Sequence, residues 1–243
     1  MQDDLSTIIY LRTTEEFYNR ETLRAFAERL AQLGHYVAGT DWNEVGQVWK
    51  AELNGENIQI GSLDPARVFT PAVSPILQQE IEAFVEERPA RLEMTLFSTA
   101  RTGDLVAFEG DISLEPEDHL ISMSMLARQD TFAPFLHWLE ILQATYETWH
   151  PLYAYKEGGV EETTHEDALA NNVALLYEMN LLNPEMVEKL GRARVLSTPA
   201  WRVTELTDGS VFLIPQLIAN GGTNEDYHFD RETAAAHLGL EIA

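Results

Sequence analysis

The sequence predicts an α+β fold, a mainly antiparallel sheet with helices packed on one side. Strand-like and helix-like segments follow one another irregularly, unlike the regular alternation that builds a parallel sheet. The dipeptides Asn54-Gly55 and Asp208-Gly209 each lie between two strand-like segments, and such dipeptides favour the tight turns of antiparallel hairpins. No linker rich in proline, glycine or serine divides the chain, so we expect residues 1–243 to form a single domain.

The elements of the first half are predicted from apolar residues that recur with a strand period or a helix period. Gly34 and Pro89 mark the ends of two helices, and Ser74-Pro75 marks the start of the second. The predicted elements are a strand at 6–12, a helix at 21–33, a hairpin at 44–53 and 57–60, a helix at 76–87, and strands at 91–98, 105–108 and 119–126. We expect the first and last of these three strands to be neighbours in the sheet, joined by an acidic connection over residues 100–118.

The second half contains clearer end signals. Pro151 and Gly191 each end a predicted helix, and the acidic residues that follow Thr163-Thr164 are typical of the first turn of a helix. The predicted elements are a helix at 131–149, a strand at 152–155, a strand at 174–182, a helix at 184–190, a hairpin at 201–206 and 211–214, and a helix at 231–238.

Negative charge is concentrated between residues 102 and 188. This stretch has seventeen acidic residues against Arg128 and Lys156, and it carries −15 of the chain's formal charge of −24. Such a surface repels phosphate backbones and anionic lipid and attracts basic partners, so we expect neither nucleic acid nor a membrane as partner. High charge also serves solubility alone, and the sequence gives these two interpretations equal weight.

A docking surface in this region would use two acidic loops, at 104–118 and 157–167. Trp42 lies in a polar segment, where an exposed aromatic side chain could anchor a protein partner. The predicted partner-binding residues are Asp104, Glu109, Asp111, Glu115, Glu117, Asp118, Glu157, Glu161, Glu162, Glu166, Asp167 and Trp42.

Several classes of site are excluded or disfavoured. The absence of cysteine excludes disulfides, thiol nucleophiles and cysteine-bound metals. The pairs Gly158-Gly159 and Gly221-Gly222 lack the pattern of a phosphate-binding loop. The N-terminus is acidic where a secretory signal is basic, and no run of ~18 apolar residues follows it. We expect a cytoplasmic protein with no cofactor and no bound metal.

Candidate catalytic residues are scattered. His137 and Glu140 have a spacing that some metal sites use, but a second such pair is missing, and a structural role is favoured. Asp226, His228 and Asp230 alternate in a segment that is more typical of a polar loop. Two alternatives to a docking function stay open: a hydrolase whose site combines distant carboxylates with histidines such as His137 or His228, and a structural or accessory homodimer.

The segment 176–214 carries a family resemblance. It contains Asn180-Leu181, then Asn183-Pro184-Glu185-Met186-Val187, Leu190-Gly191 and a hairpin around Leu206-Thr207-Asp208-Gly209. This segment resembles the C-terminal part of bacterial toxin-immunity proteins, the type VI secretion immunity family and its relatives among polymorphic-toxin immunity proteins. The upstream segment 138–155 is similar to the long helix and short strand of the same group.

The resemblance implies an α+β protein without catalytic residues of its own that binds and neutralises a cognate toxin. It assigns no inhibitory residue, because the toxin-facing positions of such proteins vary with the toxin. The charge pattern agrees in direction, since an acidic inhibitor is attracted to a basic toxin over a distance set by the ionic strength. We therefore expect a non-catalytic immunity protein.

Overall fold

The centre of the structure is a nine-stranded antiparallel sheet. The computed structural model describes residues 6–39, 75–99, 106–125, 133–156, 163–216 and 230–243. Its strands are β1 Thr7–Tyr10, β2 His35–Gly39, β3 Leu92–Thr99, β4 Val106–Glu115, β5 Leu120–Met125, β6 Tyr153–Lys156, β7 Leu175–Leu176, β8 Asn180–Leu182, β9 Arg202–Glu205, β10 Val211–Ile214 and β11 Glu241–Ile242. The strand order is β2-β3-β4-β5-β1-β6-β8-β10-β9, while β7 and β11 form a separate parallel pair.

The helices begin and end at local capping residues. They are α1 Arg20–Gln32, α2 Pro75–Glu87, α3 Ala133–Trp149, α4 His165–Leu169, α5 Pro184–Leu190, α6 Arg192–Leu196 and α7 Arg231–Leu238, with short 3-10 turns at Thr14–Glu16 and Pro116–Asp118. The side chains of Asn19, Asn183 and Asp230 accept backbone N–H bonds at the starts of α1, α5 and α7. Gly34 follows α1 with a φ of 84°, a conformation that glycine adopts without strain.

Two hydrophobic cores lie on opposite faces of the sheet. In β6, Ala154 belongs to the first core, and its neighbours Tyr153 and Tyr155 belong to the second. The first core contains the buried residues of α1, α2 and α3, including Phe26 and Trp149, whose ring centroids are 4.7 Å apart. The second core contains the buried residues of α4 to α7.

The predicted α+β class with a mainly antiparallel sheet is confirmed. The expectation that the helices pack on one side is met by the three long helices only, because the four shorter helices cover the other face, where β6, β8 and β10 lie. Strands there are apolar on both faces: in β8, Leu181 points into the first core and Leu182 into the second. Such continuous apolar strands are typical of a sheet that is covered on both sides.

The expectation that strands 91–98 and 119–126 are neighbours is wrong. β4 lies between β3 and β5 and pairs with both, so most of the predicted connection is a strand of ten residues. Within β4, the buried Ile112 and Leu114 alternate with Asp111, which is exposed. This two-residue period was not recognised in the sequence, because β4 also contains acidic and small polar residues.

The predicted strand 174–182 is divided into β7 and β8. The side chain of Asn180 accepts the Tyr177 N–H at 3.2 Å and donates to the Tyr177 carbonyl at 2.9 Å, so it folds the backbone into a turn between the two strands. The helices at 184–190 and 231–238 match α5 and α7, and the hairpin at Asp208-Gly209 joins β9 to β10. The hairpin predicted at 44–60 lies outside the described residues.

Candidate functional site

One end of the sheet brings together two turns that are far apart in sequence. Beyond the end of β1, the Leu11 N–H donates to the His119 carbonyl at 2.9 Å, which extends the pairing of β1 with β5. The turn Thr14–Glu16 after β1 then contacts the turn Pro116–Asp118 between β4 and β5. Acidic residues from both turns therefore lie at the same end of the sheet.

Two histidines attach α4 to this end. The rings of His119 and His165 are parallel, with centroids 4.2 Å apart and an interplanar angle of 4°. The Nε2 of His165 lies 3.0 Å from the Leu11 carbonyl oxygen. Because a carbonyl only accepts, this nitrogen carries the hydrogen. Leu11 thus contacts His119 through its N–H and His165 through its carbonyl.

The environment of His119 favours its neutral form. Burial lowers the pKa of His119, and the neighbouring His165 lowers it further, while Glu16 and Asp118 act in the opposite direction. Its Nδ1 atom is buried without a hydrogen-bond partner in the described part of the chain. His119 ends the Pro116–Asp118 turn, and its backbone has a φ of 55°, in the left-handed region.

We call the carboxylates of Glu16, Glu117, Asp118 and Glu166 the acidic end. Glu117, Asp118 and Glu166 are exposed, and none of the three forms an ion pair with another described residue. Glu16 is half-buried and accepts the backbone N–H of Arg12 at 3.1 Å. Arg12 and Arg20 are the positive charges closest to it in sequence; Arg12 is exposed, and Arg20 pairs with Glu82.

The other arginines at this end are already paired. Arg88 donates two hydrogen bonds of 2.7 Å to the carboxylate of Glu15, and these bonds lower the pKa of Glu15. Arg91 bonds to Glu93 at 2.7 Å and approaches Glu115 at 3.7 Å. Both guanidinium groups are therefore paired with carboxylates that are not part of the acidic end.

Asp167 has a structural role at the start of α4. Its carboxylate accepts the N–H of Thr164 at 3.2 Å, and the Asp167 N–H donates to the Thr164 hydroxyl at 3.1 Å, which forms a reciprocal capping box. The bonds from Thr164 and Asn172 lower the pKa of Asp167. The helix start predicted after Thr163-Thr164 is confirmed, and Glu166 remains the exposed acid of this turn.

The structure assembles part of the predicted partner-binding set. Glu115, Glu117, Asp118, Glu166 and Asp167 lie at or beside the acidic end, whereas Asp111 lies in the middle of β4. Glu109 lies within β4, at a point where the register with β3 shifts. Five of the predicted residues lie outside the described residues: Asp104, Glu157, Glu161, Glu162 and Trp42. Glu16 was missed because it precedes the acidic stretch, and only the pairing of β1 with β5 places it here.

The candidate catalytic histidines have other contacts. His137 is buried against His35, with ring centroids 5.1 Å apart, and the Nε2 of His35 lies 3.1 Å from a Glu140 carboxylate oxygen. Asp230 caps α7, while Asp226 and His228 lie outside the described residues. Among the residues that the structure describes, no group of three or more His, Asp or Glu could hold a metal ion.

One serine–histidine contact belongs to a helix end. The Ser197 hydroxyl lies 3.4 Å from Nε2 of His237, but both groups also bond to the carbonyl of Arg194. Since that carbonyl accepts a hydrogen from Nε2, this nitrogen is not free to take the serine proton. The contact therefore joins α6 to α7.

Within the described ranges, no helix is both long enough and apolar enough to cross a membrane.

The likeness of this chain to known proteins is distant. No family model matches the chain, and no curated protein matches it. A solved structure described as the Pseudomonas aeruginosa T6SS protein PA0821 is similar over 99% of this chain and 77% of its own, with 14% identity and a TM-score of 0.46. At this distance the likeness does not establish a shared family or activity.

Proposed function

We propose that this chain is a non-catalytic immunity protein of the cytoplasm, which binds a cognate basic toxin through the acidic end and blocks the toxin's active site. One observation carries the proposal. The stack of His119 on His165 brings together three exposed acidic residues, Glu117, Asp118 and Glu166, and none of the three forms an ion pair with another described residue. A carboxylate that has no internal partner is available to an arginine or lysine of another protein.

Electrostatics favours a basic partner. The formal charge of −24 attracts a positively charged protein at distances beyond contact, and it repels nucleic acid and anionic lipid. Complementary charge mainly raises the association rate and discriminates against wrong partners. An inhibitor that must reach its toxin before the toxin reaches its target benefits from a high association rate.

The acidic end is also held in a defined conformation. The turn that carries Glu117 and Asp118 begins with the buried Pro116 and ends at the stacked His119, and Glu166 lies in a helix that begins with a capping box. Groups that are already ordered lose less conformational entropy when they bind. This order favours a docking role over simple solvation of the surface.

The assignment to the immunity class, rather than to another class of binding protein, rests on the resemblance of segment 176–214. That segment forms β8, α5, α6 and the β9–β10 hairpin, on the β9 side of the strand order. It thus supplies the family-like framework, while the acidic end supplies a surface specific to one partner.

The test has two stages. Affinity capture from the source cells, eluted with a salt gradient, should yield one stoichiometric basic protein. The association rate of that protein is then measured for the wild type, for Glu117→Lys/Glu166→Lys, and for Glu28→Lys/Glu232→Lys, which makes the same charge change at exposed residues of α1 and α7.

We expect the first pair to lower the association rate about tenfold or more and the second pair to lower it much less. The difference should shrink as the salt concentration rises. Equal rates for the two pairs would remove the acidic end from the interface. A captured partner whose activity is unaffected by stoichiometric addition of this protein would contradict the inhibitor function.

A further inference from the structure

A groove lies beside α3 on the face of the sheet that α1 to α3 cover elsewhere. Its volume is about 410 Å³. Helix α3 forms one wall, β8 and β10 form the floor, and β9 forms the opposite wall. A groove of this volume is in the range that proteins use for small organic ligands. It lies at the opposite end of the strand order from β2 and is distinct from the acidic end.

The floor and the helix wall of the groove are apolar. Leu181 of β8 and Phe212 of β10 form the floor, and Leu139, Leu142 and Tyr146 line the wall of α3. Phe212 is only partly buried, although it points to the same face as the first core. An apolar ligand chain would therefore gain by covering surface that now faces water.

The strand wall supplies a positive charge. Arg202 and Thr204 lie opposite Ile214 and Phe212 in the β9–β10 register, so both side chains emerge on the groove face. The Arg202 Nε donates to the Thr204 hydroxyl at 3.2 Å, and its guanidinium carbon lies 6.0 Å from the centre of the Phe212 ring. These contacts hold the guanidinium beside the groove.

The guanidinium of Arg202 has no ion pair with another described residue, in contrast to helix arginines such as Arg24, which bonds to Glu82 at 2.8 Å. A guanidinium that lies at an apolar groove without a carboxylate partner can form an ion pair with an anionic group from outside. Glu140 lines the helix wall and repels an anion there, so a bound anionic group lies on the Arg202 side.

We propose that this groove binds a small amphipathic carboxylate, with its carboxylate on Arg202 and its aliphatic chain along Leu181 and Phe212. The inference does not depend on the acidic end or on the toxin. Positive charge selects the anionic head group, and the apolar floor selects a chain. Affinity should therefore rise by up to about fourfold for each added methylene until the groove is filled.

The test titrates the purified full chain with octanoate and decanoate, below micelle formation, by calorimetry and by NMR chemical shifts of the groove residues. Decanol and decyltrimethylammonium serve as neutral and cationic comparison ligands. We expect saturable, one-to-one binding of decanoate, tighter than octanoate and at least about tenfold tighter than either comparison ligand.

Two variants locate the site. Arg202→Gln should weaken decanoate binding about tenfold, whereas Arg231→Gln, which removes the same charge from α7, should not. Gln143→Trp places a ring in the groove from the exposed face of α3 and should abolish binding while the protein stays folded. The proposal is overturned by non-saturable binding, by equal affinity for the three head groups, or by full binding to either groove variant.

Discussion

The imidazole rings of His119 and His165 stack in parallel, with their centroids 4.2 Å apart. This contact joins the turn between β4 and β5 to the start of α4, and the backbone of Leu11 bonds to both residues, to the His119 carbonyl and to the His165 ring. Glu117 and Asp118 precede one histidine, and Glu166 follows the other. The stack therefore determines which carboxylates lie together at the acidic end.

Stability should fall as the pH drops through the range in which His119 binds a proton. The folded pKa of His119 lies below its ordinary value of 6.5, because burial and His165 disfavour the charged ring. Between the folded pKa and 6.5 the unfolded chain binds the proton and the folded chain does not, so the contribution of His119 is present above this window and is lost as the pH falls through it. Urea unfolding at about pH 7.5 and about pH 5.5 measures the change.

The variant His119→Asn should lose less stability over the same pH interval, since asparagine tolerates the left-handed backbone and does not titrate. His150→Asn is the matched control, because His150 also has a positive φ, of 46°, and is exposed. The protection factor of the Leu11 amide, whose N–H bonds to the His119 carbonyl, should fall at low pH in the wild type once the intrinsic pH dependence of exchange is divided out. Identical pH profiles for all three proteins would show that the stack does not couple stability to pH.

Gly110 allows β4 and β5 to approach at a bulge. The register of β3 with β4 passes from Gly110 to Phe108, so Glu109 is the extra residue, and a Cβ on Gly110 would lie 1.8 Å from the Ser124 carbonyl oxygen. Gly110→Ala should lower the free energy of unfolding by about 1–3 kcal/mol, because the strands must move apart. Guanidinium unfolding measures this loss, and an unchanged midpoint would mean that the approach is not as close as the structure has it.

Local signals in the sequence located the helices well. The start of α5 at Asn183-Pro184 and its end at Gly191 depend on side chains and backbone preferences of those residues themselves. The strand β4 was not found in full, because its exposed positions carry acidic and polar residues and its pairing partners are distant in sequence. Strand order depends on such distant pairings, which no local period reveals.

The acidic end was predicted only in part, for a related reason. Composition identified the acidic stretch, but not the ring contact between His119 and His165 that brings Asp118 near Glu166. It also grouped Asp167 with the docking residues, although the carboxylate of Asp167 caps its own helix. No local pattern in the sequence predicts the groove beside α3, because the residues that line it come from one helix and three strands.

A buried hydrogen bond connects α3 to β1. The Trp138 Nε1–H donates to the Thr7 hydroxyl at 2.6 Å, and neither residue is exposed. Thr7→Val keeps the shape but removes this acceptor, so the free energy of unfolding should fall by about 1–3 kcal/mol. Thr148→Val is the control: its half-buried hydroxyl donates to the Ala144 carbonyl within α3, and its loss should cost less than about 1 kcal/mol. Equal losses for the two variants would contradict a special role for the buried pair.

The turn between β7 and β8 should depend on Asn180. This residue is fully buried, and besides its two bonds to the Tyr177 backbone it accepts the hydroxyl of Tyr153 at 3.0 Å. Asn180→Ala removes all three hydrogen bonds at once and should lower the free energy of unfolding by about 3 kcal/mol or more, since each of the three buried polar groups left unpaired costs about 1–3 kcal/mol. Asn172→Ala, at an exposed residue that bonds to Asp167, should change it by no more than about 0.5 kcal/mol.

The variant Asn180→Asp separates shape from hydrogen bonding. It retains the acceptor oxygen, but burial raises the pKa of the new carboxyl, which must stay protonated to donate to the Tyr177 carbonyl. The folded variant then binds more protons than the unfolded one, so its stability relative to the wild type should decrease as the pH rises above the unfolded pKa of about 3.9. Urea unfolding of both proteins between about pH 4 and about pH 7 measures this difference. A pH-independent difference would mean that the site admits water and that Asn180 does not hold the turn by buried bonds.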